Sequence, residues 1–380
     1  MNGTVGLIIN PVAGVGGPTA LWGSDGLMMQ HRALAAGAVP RSGERAVATL
    51  QRLLTRHANL RVVTVSGAMG HEAARQAGLA ASRVRVIRHC ALATTGTDTI
   101  EAASAMLAAG VDVLLFVGGD GTARDIVQGV GEALPVVGVP AGVKMQSAVF
   151  AVSPIAAAEA AATFLDDGHR SVTKREVVDL DEEMLGYERV SARLYGYLSV
   201  PAERRWLQSR KVGSAVVANS VDHVARTVVD EMSPHVNYVL GPGTTVQAVA
   251  TRLGVATTLM GVDVVANNEL VASNVTAREL ERLVGAHTVI LVSPTGGQGF
   301  LFGRGNQQVS ANVLDRVGLQ GVVVLCTPEK LLGLSGRPLL VDSGDFAVDA
   351  KLTGYVRVVT GWRESTLYRV QGCELLSSNG

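Results

Sequence analysis

The segment Val113-Leu114-Leu115-Phe116-Val117-Gly118-Gly119-Asp120-Gly121-Thr122 constrains this chain more than any other stretch. An unbroken apolar run with no polar alternation describes a strand buried on both faces, and such strands belong to parallel sheets covered by helices. The run ends in glycines and one carboxylate, and Ala123 to Val130 then has helical spacing. A strand that gives way to a glycine turn and a helix puts that turn at the carboxyl edge of a parallel sheet, where ligands of such folds sit. Glycines let the backbone come close to phosphate oxygens. A helix starting near Thr122 adds amides outside its ladder and a positive dipole end. Asp120 in that turn can take a hydroxyl proton or help to hold Mg²⁺; the plainer alternative is a tight turn with a capping Asp.

The same alternation runs through the first half. Val5 to Ile9, Arg61 to Val65, Val84 to Ile87 and Val136 to Val139 read as further strands. Gly43 to His57, His71 to Ala77, Asp98 to Ala108 and Ser153 to Leu165 read as helices, with Thr97 as the cap of the third. Residues 1–170 are therefore expected to form a parallel-sheet α/β domain, and residues 171–380 a second domain, α/β or mixed and β-rich. Lys174 to Val200 is more charged, and Arg189 to Leu194 alternates as exposed antiparallel strands do. From Val217 the strand–helix alternation resumes, with helices at Val217 to Met232, Thr245 to Leu253 and Ala277 to Val284. Strands are expected at Tyr238 to Leu240, Val289 to Val292 and Val322 to Leu325. Leu339 to Val370 reads as strands joined by glycine-containing turns.

Thirty-three basic and 33 acidic residues cancel, so nothing favours nucleic acid or an anionic membrane as the main partner. Cys90, Cys326 and Cys373 are odd in number and lack metal spacing, which fits reduced thiols in a cytoplasmic protein. No basic leader precedes Val5, and no apolar run is long enough to span a bilayer. The eight histidines do not cluster, so no metal set is expected.

Asn10-Pro11-Val12-Ala13-Gly14-Val15-Gly16-Gly17 after the first strand is a second glycine-rich loop suited to phosphates. Gly-Gly-Asp-Gly-Thr after a buried strand resembles the hallmark of the NAD kinases and the related diacylglycerol and lipid kinases. Val139 to Met145 with Ser147 to Phe150, and Val292 to Phe300 leading into Gly303 to Gln308, extend the likeness. From Leu7 to Val370 the chain is similar to the ATP-NAD-kinase-like group that includes the acetoin catabolism protein X-type proteins. That resemblance implies an NAD kinase/phosphofructokinase-like first domain in a cytoplasmic homo-oligomer, dimer or tetramer. It implies Mg²⁺-dependent phosphoryl transfer from ATP, or another donor, to NAD or a related nucleotide or small molecule, with a link to acetoin catabolism.

The resemblance also assigns roles. Asp120 would activate the adenosine-ribose 2′-hydroxyl of NAD. Asn10, Gly14, Gly16, Gly17, Gly118, Gly119, Gly121 and Thr122 would surround phosphates, and Lys144, just past a strand end, would neutralise the transferring group. Pro294-Thr295-Gly296 is similar to the Pro-Thr-Gly of NAD kinases, which makes Thr295, Gly296 and Gly297 ligand contacts. Gly297-Gln298-Gly299-Phe300 replaces the family's serine-, alanine- and tyrosine-containing continuation. Asn268-Glu269 matches an NAD kinase pair by letters, yet stands where a hairpin turn is expected. Arg124 faces a phosphate or forms a salt bridge, because a cation at a helix start is unfavourable unless an anion is near. Asp125 looks like part of a capping arrangement. Arg304 with Asn306 grips a phosphate or carboxylate, or belongs to a structured loop. Gly241-Pro242-Gly243-Thr244-Thr245, with Gly241, Gly243 and Thr244 as contacts, suits an anion and resembles a loop of ribose-5-phosphate-type isomerases. Thr327-Pro328-Glu329-Lys330-Leu331 resembles their strand-end lysine region. Alternatives to a nucleotide kinase are a non-catalytic nucleotide sensor, a lipid or polyol kinase, and a phosphosugar-binding enzyme. Against the lipid branch, Ala123-Arg124-Asp125 departs from a Leu-Asn-Glu continuation.

Overall fold

Five parallel strands in the order β3-β2-β1-β4-β5 form the sheet of the first unit. The computed structural model describes residues 3–21, 27–91, 93–143, 145–168, 170–180, 192–202, 206–208 and 218–374. The strands are β1 (Thr4–Ile9), β2 (Arg61–Val65), β3 (Val84–Arg88), β4 (Val113–Gly118) and β5 (Val136–Pro140). In chain order the helices are α1 (Leu27–Ala35), α2 (Ser42–Arg56), α3 (His71–Gln76), α4 (Gly96–Ala108), α5 (Asp120–Val130) and α6 (Pro154–Asp166). A separate antiparallel pair, β6 (Val172–Leu180) and β7 (Ala192–Pro201), packs against α5. Every residue of β4 is buried, as its unbroken apolar run requires. α2 buries Ala46, Thr49, Leu50 and Leu53, one stripe at helical spacing. α6 starts with Pro154 after the Ser153 cap, whose hydroxyl accepts from the Ala156 amide at 3.1 Å.

The chain steps from β1 outward to β2 and β3, then crosses back to β4 and β5. The crevice between the carboxyl ends of β1 and β4 is therefore the topological switch point.

The second unit carries a nine-stranded mixed sheet, ordered β10-β9-β8-β11-β13-β15-β16-β14-β12. Its elements are α7 (Ala218–Glu231), β8 (Asn237–Leu240), α8 (Thr244–Leu253), β9 (Asp263–Ala266), β10 (Glu269–Ala272), α9 (Ala277–Leu283), β11 (Thr288–Val292), β12 (Phe300–Phe302) and α10 (Ala311–Val317), followed by β13 (Val322–Leu325), α11 (Pro328–Leu332), β14 (Leu339–Val341), α12 (Phe346–Lys351), β15 (Gly354–Gly361) and β16 (Glu364–Gly372). β8, β11, β13 and β15 run parallel. Strand alternation sends Tyr238, Leu240 and Leu291 into one core with Val224, Val228 and Val246 of α7 and α8. Val239, Ile290 and Val292 enter the other, with Leu280, Val313 and Val348 of α9, α10 and α12. Both faces are covered, which makes this unit α/β as well.

Several local expectations shift. Among the described residues, β6 and β7 group with the first compact unit, while residues 16–21 and Leu27–Ala38 group with the second. The cap of α4 is Thr95, not Thr97, because Asp98 reaches back to the Thr95 amide at 2.9 Å and closes a capping box. α5 begins at Asp120, so Asp120, Gly121 and Thr122 make its first turn instead of preceding it, and Asp125 lies within the helix rather than at its cap. The stretch expected to hold only strands and turns contains α12, nucleated by Asp345, whose carboxylate accepts from the Ala347 and Val348 amides. Among the described residues no helix is long and apolar enough to cross a membrane.

Candidate functional site

Loops after β1, β4 and β5 meet at the switch point of the first unit. The Asn10 amide donates to the Val117 carbonyl at 3.0 Å, and Asn10 Nδ2 donates to Thr122 Oγ1 at 3.0 Å. The side chain thus bridges the crevice from the end of β1 to the first turn of α5. Gly14 has φ +81°, and a Cβ there would lie 2.2 Å from the Ala141 carbonyl oxygen, so the β1 loop sits directly on the segment after β5. The Gly118 carbonyl accepts from the Ala141 and Gly142 amides at 2.9 and 3.0 Å. A Cβ on Gly118 would come 2.3 Å from Thr122 Oγ1. At Gly14 and Gly118 the space freed by the missing side chain is thus used by the protein's own atoms.

Gly119 caps α5 with no side-chain hydrogen bond, and the first bond of the ladder runs from the Ala123 amide to the Gly119 carbonyl. The amides of Asp120, Gly121 and Thr122 therefore stand outside the helix's own ladder, at its positive end. The fold brings Asn10, Gly14, Gly118, Gly119, Asp120, Gly121 and Thr122 together. Gly16 and Gly17 belong to the second unit, where Gly17 packs on the Gln307 side chain.

Asp120 is 2% exposed. One carboxylate oxygen, Oδ2, accepts from the Gln146 amide at 2.7 Å. The other, Oδ1, accepts from the Ser147 amide at 3.0 Å and the Ser147 hydroxyl at 2.6 Å. Burial pushes its pKa up to about 6, and the nearby Asp179 adds to the rise, although hydrogen bonds from Ser147 and Gln146 favour the charged form. Asp179 arrives on β6 and pairs with Arg124 at 3.6 Å, and the Arg124 guanidinium lies 5.4 Å from the Tyr195 ring centre. Arg124 thus has an anion beside the first turn of α5 in the protein itself. Gln208 Nε2 donates to the carbonyls of Met145 and Ser147, holding the same turn from its other side. Lys144 lies outside the described residues.

Ser147, Asp179 and Gln208 shape this site, and no role follows for them from sequence spacing. Ser147 stood inside a segment of the resemblance, whereas Asp179 and Gln208 reach the site only through the fold. Among the described residues, no group of three or more His, Cys, Asp or Glu is placed to hold a metal ion. Protein donors fill three of the roughly four accepting sites of Asp120 and Asp179 faces Arg124, so this pair is a poor cradle for a resident magnesium ion.

In the second unit the β8–α8 turn also lies at a switch point, between β8 and β11. The Gly241 amide donates to the Leu291 carbonyl at 2.9 Å, and Gly243 caps α8 at φ +115° with open space where a Cβ would stand. Thr244 is exposed at the first helical position, beside a groove of about 390 Å³ between α7 and α8. Thr295, Gly296 and Gly297 form the turn from β11 to β12, closed by the Gly299 amide on the Thr295 carbonyl at 2.8 Å. Lys330 Nζ donates to Ser293 Oγ at 2.9 Å.

The Arg304 side chain is covered, pairs with Asp342 at 2.7 Å and stacks 4.3 Å over Phe300. Asn306 Nδ2 donates to the Leu301 carbonyl at 2.7 Å and its Oδ1 accepts from the Gly303 amide at 3.0 Å. These contacts tie the loop to its own unit. Asn267 and Asn268 have φ +51° and +63°, the paired left-handed centre of a two-residue hairpin between β9 and β10, so Asn268-Glu269 is the expected turn.

Two family models match the chain. The ATP-NAD kinase N-terminal domain matches residues 5–169, which contain all three loops of the first site, and the ATP-NAD kinase C-terminal domain matches residues 234–370. No curated protein and no solved structure matches it.

Proposed function

Because the chain belongs to the ATP-NAD kinase-like family, with both domains of that family represented, we propose that it transfers a phosphoryl group at the crevice between β1 and β4. The donor is ATP or another phosphoryl donor, and the acceptor is NAD or a related nucleotide. The observation that carries this reading is the position of Asp120: a carboxylate in the uncapped first turn of α5, at the switch point, with its pKa raised toward neutrality. Amides of Asp120, Gly121 and Thr122 face developing phosphate charge, and Lys144, placed by sequence alone, adds a cation. Asp120 accepts the proton of the attacking hydroxyl after exchanging a bond from the Gln146–Ser147 turn for one from substrate. The magnesium of this reading travels on nucleotide phosphates, which commonly supply most of its non-water ligands. The acetoin catabolism protein X-type branch, a cytoplasmic location and a dimer or tetramer complete the proposal, all three from the sequence resemblance.

A second reading, nucleotide binding without turnover, is favoured by one observation: both oxygens of Asp120 already accept hydrogen bonds from the protein. Incubation with NAD, Mg²⁺ and either ATP or polyphosphate, scored for NADP and paired with calorimetric NAD binding, separates the two. We expect NADP to form and Asp120→Asn to lower kcat about 100-fold or more. Binding without NADP establishes the sensor reading. Undiminished turnover in Asp120→Asn removes the base assignment, and absence of both binding and turnover overturns the nucleotide reading.

A further inference from the structure

The Ser147 hydroxyl touches more acceptors than it has protons. Its oxygen lies 2.6 Å from Asp120 Oδ1, 2.9 Å from the Val178 carbonyl oxygen and 3.0 Å from the Val178 amide. A hydroxyl donates once and accepts twice. The Val178 amide fills one accepting site, which leaves a single hydrogen for two competing oxygens. All three partners are buried.

The backbone that makes this contact is locally irregular. Along the β6–β7 pair, Val177 faces Gly196 while Val178 faces Leu194, so Tyr195 is an extra residue on β7. Such bulges interrupt the ladder and re-aim the chain, and they recur beside active sites. Here both polar groups of Val178 meet Ser147, and the next residue, Asp179, pairs with Arg124.

We propose that Ser147 is a positioning residue that switches its one hydrogen between Asp120 and the Val178 carbonyl, so that the charge on Asp120 is coupled to the β6 edge. When Asp120 is ionised, Ser147 donates to Oδ1. When Asp120 gains a proton at Oδ1, that proton is donated to Ser147 Oγ, and the serine hydrogen turns to Val178. No bond breaks in the serine: one proton is added to the carboxylate and one hydroxyl rotates. The proton source in turnover is the acceptor hydroxyl of the proposed phosphoryl transfer, and to that extent the inference rests on that reading. Charged and titratable groups on the packed elements are Asp98 and Glu101 of α4, Arg124 and Asp125 of α5, Lys174, Arg175, Glu176 and Asp179 of β6, and Arg193, Tyr195 and Tyr197 of β7. Of these, Asp179 is the charge that acts on Asp120.

The test is an infrared pH titration of the buried carboxylic acid band in the whole chain, with the Asp120→Asn spectrum subtracted. The wild-type band should disappear with a midpoint near the value of about 6 set by burial. Ser147→Ala should move the midpoint upward by about one pH unit or more, because the charged form loses a hydrogen bond. Ser147→Cys keeps a weaker donor and should fall between them; it carries the test if Ser147→Ala fails to fold by circular dichroism. A midpoint that does not move in the folded variants overturns the proposal. The titration uses no substrate, so a shift without NADP formation keeps the switch and removes the kinase reading. NADP formation with an unmoved midpoint does the reverse. Where turnover is present, the acidic limb of kcat/KM should shift by the same amount as the band, a change that a merely structural serine does not produce.

Discussion

The chain builds a strand–glycine–helix junction at a switch point twice, after β4 and after β8, and the two are finished differently. Both helices begin on a glycine with no side-chain cap, Gly119 for α5 and Gly243 for α8. At the first junction the turn holds Asp120, and the segment after β5 closes over it until it is 2% exposed. At the second there is no carboxylate, Thr244 is exposed, and the space beside Gly243 is open. The same local code thus makes a charged, closed site in one unit and an uncharged, open turn in the other. What separates them is which distant segments arrive, not the junction itself.

The largest test of that contrast is the pH dependence of stability. Asp120 keeps its proton up to about 6 in the fold, against 3.8 in an unfolded chain, so the fold binds more protons in that window. Its contribution is fully present below the unfolded value and is lost as pH rises through 6. Asp349, buried on α12 away from the second junction, does the same up to about 7. Each costs roughly 2–4 kcal/mol at pH 8. Asp120→Asn should flatten the denaturant midpoint between pH 4 and about 6 and Asp349→Asn between pH 4 and about 7, both gaining stability at pH 8. A second-unit pH dependence that survives Asp349→Asn would place its source elsewhere.

Next in size is the glycine contrast. Gly118→Ala crowds the Thr122 side chain and should cost about 1–3 kcal/mol, part of which Thr122→Ala restores in a double-mutant cycle. Gly243→Ala meets no neighbour and pays only for its backbone angle, about 1–3 kcal/mol, so adding Thr244→Ala should give simple additivity. Coupling at the second junction and none at the first would invert the comparison. The smallest effect is that of Arg124→Gln. Its pair with Asp179 is a third exposed on the arginine side and 3.6 Å long, so urea unfolding should register a loss of about 1 kcal/mol or less.

Legibility followed the range of the interactions. β4, α5 and their turn stand out in sequence because a buried parallel strand and a glycine cap are local signals. The start of α5 moved by a turn because Asp120 and Gly121 have weak helix propensity, which the amides of the Gln146–Ser147 turn overcome by fixing Asp120. α12 escaped notice because six residues are too few to show a period, and its Asp345 cap looks like any turn aspartate. Arg304 left two alternatives open in sequence because its partner, Asp342, comes from another strand end.

Sequence alone gave a parallel α/β first half, a second half that is α/β or mixed and β-rich, the order of strands and helices around each glycine turn, and the membership that the paired domain models share, since each depends on contiguous residues. Tertiary structure decided the state of the carboxylate: its burial, its three donors, and the strand β6, paired across a bulge in β7, that brings Val178 and Asp179 beside it. Those come from segments far apart in the chain, and a raised pKa exists only once they have displaced water from around Asp120.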